Sequence, residues 1–101
     1  VSQPQPPLEG VRVLAIEQFG AGPWATMMLA DLGAEIIKVE NPATGGDVGR
    51  YVTPYASTQD SLYFQSFNRN KKSITLNLQH PRVAQILHPL AAAADAVFNN
   101  L

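Results

Sequence analysis

Apolar and polar positions along the chain fall into blocks that predict alternating strands and helices. Residues 11–16 form a nearly continuous apolar run with β-branched side chains, as in a parallel strand covered on both faces. Further apolar runs at residues 35–40 and 95–99 predict strands, and alternating apolar and polar residues over 73–78 predict another. The pattern therefore predicts four strands.

The segments between these strands carry helical signals. Small residues at 20–22 lead to Pro23, which suits the first position of a helix because its missing N–H would have no partner there. Gly33 is predicted to end this helix, and Asp60 to cap a short helix over residues 61–68. The predicted buried stripe of the first helix consists of Ala25, Met28, Leu29 and Leu32.

Prolines shape the rest of the chain. Pro81 is predicted to open a third helix and Pro89 to interrupt it, because a proline inside a helix removes one backbone hydrogen bond. Residues 41–59 hold prolines and glycines among few apolar residues, so we predict a long loop there. Residues 1–7 contain three prolines and are predicted to be a flexible arm.

The predicted order of elements indicates an α/β fold with a Rossmann-like, open parallel sheet. The chain stops shortly after the fourth predicted strand, where a sheet of this kind ordinarily continues. We therefore expect residues 8–101 to be the N-terminal part of a larger α/β domain.

Composition narrows the function classes. Seven Lys and Arg against eight Asp and Glu give a net charge of −1, which argues against a nucleic-acid or membrane-surface protein. There is no cysteine and there are two histidines, so no metal site is predicted. No targeting segment is recognisable, and no apolar run approaches the ~18 residues of a membrane span, which together favour a cytoplasmic protein.

Residues 20–25 match the dinucleotide-binding pattern G-x-G-x-x-[GA], and Glu40 stands near the usual ribose-binding acid. Two details weaken this interpretation. Three residues separate the first strand from Gly20, and Pro23 brings a position without an N–H to the phosphate site. A ligand site and simple close packing of the helix on the sheet remain equally supported by this spacing.

Residues 68–72 hold three cations and are either a phosphate-binding turn or a solvated one, and Arg50 has the same two interpretations. His80 and His88 each precede a proline and are interpreted as a cap and as part of the predicted kink. No residue is assigned to catalysis.

The combined motifs resemble the N-terminal region of the class III coenzyme A transferases, the CaiB/BaiF family that includes formyl-CoA transferases. The longest matches are Leu-Ala-Asp-Leu-Gly-Ala-Glu-Ile-Ile-Lys-Val-Glu at 29–40 and Asn-Arg-Asn-Lys-Lys-Ser-Ile at 68–74. Shorter matches lie at residues 8–14, 21–23, 45–47, 63–64, 94–97 and 100. The intact 63–64 and 68–73 blocks resemble the transferases more than the related α-methylacyl-CoA racemases.

The resemblance implies an enzyme that moves CoA from an acyl-CoA to a carboxylic acid through an aspartyl anhydride and an enzyme thioester. It implies that the catalytic aspartate lies beyond Leu101, so this chain alone is expected to be inactive. Acyl-CoA is then a substrate, and no permanently bound cofactor is expected. The family forms interlocked homodimers, and we expect the same of the full-length protein.

The resemblance also suggests which residues contact CoA. Asn41 stands where several relatives have an arginine near the nucleotide end of CoA, so phosphate attraction is expected from Lys71, Lys72 or residues after Leu101. The full predicted CoA-binding set is Gly20, Ala21, Asn41, Lys71, Leu76, Asn77, Leu78, Gln79, Asn100 and Leu101. The alternatives are a racemase of the same fold and a non-catalytic nucleotide-binding module.

Overall fold

The computed structural model describes residues 4–101 and contains strands and helices in alternation. The six strands are β1 (Arg12–Ile16), β2 (Glu35–Glu40), β3 (Tyr55–Ser57), β4 (Asp60–Ser61), β5 (Lys71–Thr75) and β6 (Ala96–Asn99). The three α-helices are α1 (Ala21–Asp31), α2 (Leu62–Phe67) and α3 (Ala84–Ala92).

Four strands form one parallel sheet in the order β5-β2-β1-β6, which confirms the predicted α/β class. The central strands β1 and β2 carry most of the buried apolar residues, because they have a neighbour on each side and an apolar run to cover. The core cluster consists of Val13, Ala15, Ala30, Ala34 and Ile36. β3 and β4 form a separate antiparallel hairpin.

The predicted third strand is displaced along the chain. It was expected over 73–78, but β5 begins at Lys71 and ends at Thr75. Lys71 and Lys72 pair with Ile36 and Ile37 of β2, so this part of the predicted polar turn belongs to the sheet. A lysine at a strand position is tolerated here because carboxylates meet both ammonium groups.

The predicted buried stripe of α1 is wrong at two of its four residues, whereas Leu29 packs against the core and Ala25 is half-buried. Met28 and Leu32 are 47% and 46% exposed, although both were expected in the core. The helix instead turns its small side towards the sheet, which lets backbone and sheet approach closely. Its buried residues are Gly22, Pro23, Thr26, Met27 and Ala30.

The segment predicted as a long loop is partly ordered into short turns. It contains 3₁₀ helices at Pro42–Thr44 and Val48–Tyr51, followed by β3. Asp60 does not cap α2, because Ser61 takes that role: its hydroxyl accepts a hydrogen bond from Phe64 N at 3.2 Å.

The third helix also differs from its prediction. It begins at Ala84, because residues 81–83 form a turn, and it continues past Pro89 to Ala92 without interruption. Pro89 removes one donor, but its carbonyl still accepts from Ala93 N at 3.1 Å.

The predicted N-terminal arm lies partly outside the described residues, which begin at Pro4. Pro6 lies against Gly33, where a side chain would collide with it, and Leu8 N donates to Leu32 O at 2.9 Å. This part of the arm is thus in contact with the end of α1. Within residues 4–101, none of the helices has the length and apolar character needed to cross a membrane.

Candidate functional site

A cavity of about 490 Å³ opens where β1, β2 and β5 end. In open parallel sheets, ligands bind at this carboxyl edge, since the loops that follow the strands surround it. The cavity is lined by residues from these loops and from the chain end: Ile16, Glu17, Gln18, Val39, Glu40, Asn41, Ala43, Asp47, Leu76, Asn77, Leu78, Gln79 and Leu101.

The cavity brings together many of the residues that sequence reasoning selected. The segment Leu76–Gln79 forms one wall, and Asn41 and Leu101 approach from two other loops. Asn41 also caps the first 3₁₀ helix, since its Oδ1 accepts from Ala43 N at 2.9 Å. Gly20 and Ala21 lie at the start of α1 and do not line the cavity.

Asn100 holds the backbone next to the cavity. Its Oδ1 accepts from Gln18 N at 3.0 Å and its Nδ2 donates to Gln18 O at 3.2 Å. A side chain at Gly22 would collide with this carboxamide, so a glycine is required there. The pair of hydrogen bonds, which we call the Asn100 clamp, joins the ends of β1 and β6, where the strand order changes direction.

Side chains from other segments contact the turn before α1 and fix its backbone. Phe19 has φ +71°, a conformation that favours glycine, and its N–H donates to Asp47 Oδ1 at 2.8 Å. A β-carbon at position 20 would lie 2.7 Å from the hydroxyl of Tyr63, so Gly20 cannot be replaced by a larger residue without displacing Tyr63. The backbone at the helix start is therefore held in one arrangement.

A cluster of four buried charged residues adjoins the cavity: Glu17 and Asp47, which line it, and Lys38 and Lys71. Lys38 Nζ donates to Glu17 Oε2 at 3.1 Å and to Asp47 Oδ2 at 2.6 Å. Lys71 Nζ donates to Glu17 Oε2 at 2.7 Å, and Thr26 Oγ1 donates to Glu17 Oε1 at 2.5 Å. Two carboxylates meet two ammonium groups, so this buried charge cluster is neutral as a whole.

Lys71 belongs to this cluster and does not reach the cavity. Its side chain is 2% exposed, and Nζ makes two further hydrogen bonds, to Pro23 O at 2.8 Å and to Asn68 Oδ1 at 3.0 Å. Burial lowers the pKa of Lys71, while the hydrogen bond to Glu17 opposes that shift. With all three donors engaged, the ammonium group is not available to a phosphate in this structure.

The other cations of residues 68–72 are also paired. Arg69 donates to Asp31 on α1 with Nε at 3.1 Å and Nη2 at 2.6 Å. Lys72 donates to Glu35 at 3.2 Å. The segment therefore fastens β5 and the preceding turn to α1 and β2, and its side chains do not converge on the cavity.

Glu40 forms a second ionic contact in the cavity wall. Arg50 Nε and Nη2 each donate to it at 2.7 Å, Asp47 N donates at 2.7 Å, and the hydroxyl of Ser73 donates as well. Burial would raise the pKa of Glu40, but these hydrogen bonds outweigh it and lower the pKa to about 2. Glu40 is thus committed to protein partners, which disfavours the ribose-binding role considered for it.

Sequence reasoning missed Glu17, Lys38 and Asp47, although one signal was available. Lys38 interrupts an otherwise apolar strand between Ile37 and Val39, and a charge at such a position requires a buried partner. The sequence does not identify the partners of Lys38, because the fold determines which carboxylates lie next to it.

Comparisons with known proteins agree with the family resemblance. The model of CoA-transferase family III matches residues 8–101. Succinyl-CoA:glutarate CoA-transferase of Mus musculus is 51% identical over 94 residues, covering 93% of this chain and 21% of that protein. Succinate–glutarate CoA-transferase of Agrobacterium fabrum is 40% identical over 101 residues, covering 95% of this chain and 25% of that protein.

The fold comparison gives the same result. A crystal structure of a CaiB/BaiF family protein from Brucella suis matches with a TM-score of 0.85 and 35% sequence identity, covering 97% of this chain and 26% of that one. The chain therefore spans about a fifth to a quarter of the length of the relatives that it matches.

Proposed function

Because the chain belongs to CoA-transferase family III, we propose that it forms the CoA-binding N-terminal part of an enzyme that moves CoA from an acyl-CoA to a carboxylic acid. The observation that carries this proposal is the cavity of about 490 Å³ at the carboxyl edge of the sheet. Its walls include Asn41, residues 76–79 and Leu101, which the family resemblance had selected for CoA contact.

The relatives are four to five times longer than this chain, which supports a parent protein of similar length. We propose that the remaining part of this parent protein carries a catalytic aspartate. Its carboxylate would attack the acyl-CoA carbonyl, release the CoA thiolate and form a mixed anhydride. The thiolate would then attack the aspartyl carbonyl and release the acid, leaving an enzyme thioester. This chain would supply binding and orientation for CoA.

Dicarboxylic acids are the proposed substrate class. The names of the two relatives compared above specify succinyl-CoA or succinate together with glutarate, and one of them is 51% identical to this chain. We also propose an interlocked homodimer and a cytoplasmic location for the parent protein, as the family resemblance and the sequence suggest. Acyl-CoA and acid are substrates in this proposal, and no permanently bound cofactor is included.

Product analysis of the parent protein separates the alternatives. Incubation with succinyl-CoA and glutarate is expected to yield glutaryl-CoA and succinate. A racemase would instead exchange the proton next to the thioester carbonyl of a methyl-branched acyl-CoA for deuterium. A binding module would do neither. The isolated 101-residue chain is expected to show no transfer and at most weak CoA affinity.

A substitution in the cavity wall tests the binding site itself. Leu78→Asp places a negative charge in the cavity and is expected to weaken CoA binding by about tenfold, or about 1.4 kcal/mol. Leu62→Asp is the matched control, because Leu62 is similarly exposed (41% against 36%) but lies on α2, outside the cavity lining. Equal CoA affinities in the two variants, measured by calorimetry, would contradict the proposed site.

A further inference from the structure

The lysines and arginines of the chain are almost all neutralised by carboxylates. The sequence contains seven of them, and all lie within the described residues. The paired cations are Arg12, Lys38, Arg50, Arg69, Lys71 and Lys72. Within residues 4–101, Arg82 alone has no carboxylate within ion-pair distance.

Arg82 lies beside the candidate site. It is exposed in the turn before α3 and lines a second cavity of about 380 Å³. Leu76 and Asn77 line this second cavity as well as the main one, so the two cavities are adjacent. A ligand that extends along residues 76–79 therefore has Arg82 close to its path.

The turn that carries Arg82 has a defined backbone. His80 Nδ1 accepts from Arg82 N at 3.0 Å, and His80 O accepts from Val83 N at 3.0 Å. The guanidinium group has one weak partner, Gln85 Oε1, at 3.5 Å from Nη2. The backbone is thus fixed while the charged group is left to bind something else.

We propose that Arg82 binds a phosphate group of a CoA molecule that extends from the main cavity along residues 76–79. This inference rests on the proposed function, which makes an acyl-CoA the ligand. CoA carries a diphosphate and a 3′-phosphate, and arginine is suited to bind either one with two parallel charge-assisted hydrogen bonds. Within residues 4–101, the expected phosphate ligand Lys71 is buried and Lys72 lines neither cavity, so Arg82 is the cation positioned for this role.

The test compares CoA with dephospho-CoA on the full-length parent protein. Arg82→Gln is expected to weaken CoA binding by about tenfold, the equivalent of about 1.4 kcal/mol. If Arg82 binds the 3′-phosphate, dephospho-CoA binds wild type and variant equally. If it binds the diphosphate, both ligands lose the same factor. Either result supports the proposal.

Arg69→Gln is the matched control, because it removes the same charge from an exposed arginine that is paired with Asp31. Its CoA affinity is expected to stay within about twofold of wild type, and thermal unfolding checks that both variants fold. Unchanged CoA affinity in Arg82→Gln, or an equal loss in Arg69→Gln, overturns the role of Arg82. If the role of Arg82 is overturned but Leu78→Asp still weakens CoA binding, the proposed function stands. A wild-type protein that binds no CoA overturns both the role of Arg82 and the proposed function.

Discussion

Lys38 Nζ donates to Asp47 Oδ2 at 2.6 Å, and both side chains are at most 1% exposed. The same aspartate uses Oδ1 to accept from Phe19 N at 2.8 Å and from Gly49 N at 2.7 Å. One carboxylate therefore connects strand β2, the turn before α1 and the second 3₁₀ helix. Glu17 and Asp47 of the buried charge cluster line the main cavity, so the cluster positions one side of the site.

Replacing Lys38 with methionine is expected to destabilise the sheet strongly. Lys71 contacts Glu17, so the substitution leaves buried Asp47 without its ion-pair partner, and breaking a buried pair in this way costs about 3–5 kcal/mol. Native-state hydrogen exchange of the β1 and β2 amides in the parent protein measures this loss of local stability. Lys72→Met is the control, because the Lys72 side chain is 72% exposed and its pairing with Glu35 is worth little. Similar protection in both variants would refute a structural role for the cluster.

Strands β1 and β2 were predictable because burial on both faces leaves a run of mostly apolar residues in the sequence, although Lys38 interrupts it in β2. The face of α1 was not predictable in the same way. The apolar pattern suggested Met28 and Leu32, but the buried residues of the helix include the small residues Gly22, Thr26 and Ala30. Small residues leave no distinct hydrophobic signal.

The candidate site was predictable only in part. Residues 76–79 and Leu101 were selected through the family resemblance, and they line one cavity. The buried charge cluster was not predicted, since Lys38 and Lys71 are 21 and 54 positions away from Glu17 in the chain. Local periodicity contains no information on pairings over such distances, so the hydrogen bond of Lys71 to Glu17 was not predictable from it.

Gly22→Ala is expected to break the Asn100 clamp. The added methyl group would occupy the place of the Asn100 carboxamide and displace it from Gln18. Two hydrogen bonds would be lost, each worth about 1 kcal/mol, so exchange protection of the β1 and β6 amides should fall by about 2 kcal/mol.

A double-mutant cycle identifies the cause of that loss. In an Asn100→Ala background the obstruction is gone, so Gly22→Ala should have little effect and can even favour the helix. If the two substitutions instead reduce protection additively, the glycine is required for a reason other than the clamp.

Acid is expected to weaken the fold through Glu40. Its pKa is about 2 in the folded protein, against an ordinary value of 4.5, so the folded state takes up this proton less readily than the unfolded state. The stabilisation is complete above pH 4.5 and is lost as the pH falls towards 2. Between pH 6 and pH 3 this one group is expected to cost about 2 kcal/mol of the free energy of unfolding.

The pH dependence, not the absolute stability, identifies Glu40 as the cause. Glu40→Gln lowers stability at neutral pH because Arg50 loses its carboxylate, but the variant should lose about 2 kcal/mol less than wild type on going from pH 6 to pH 3. Glu9→Gln, at an exposed position, should keep the wild-type slope. Exchange protection of β2 at the two pH values, corrected for intrinsic rates, measures the difference. A Glu40→Gln slope equal to that of wild type would mean that other carboxylates control acid unfolding.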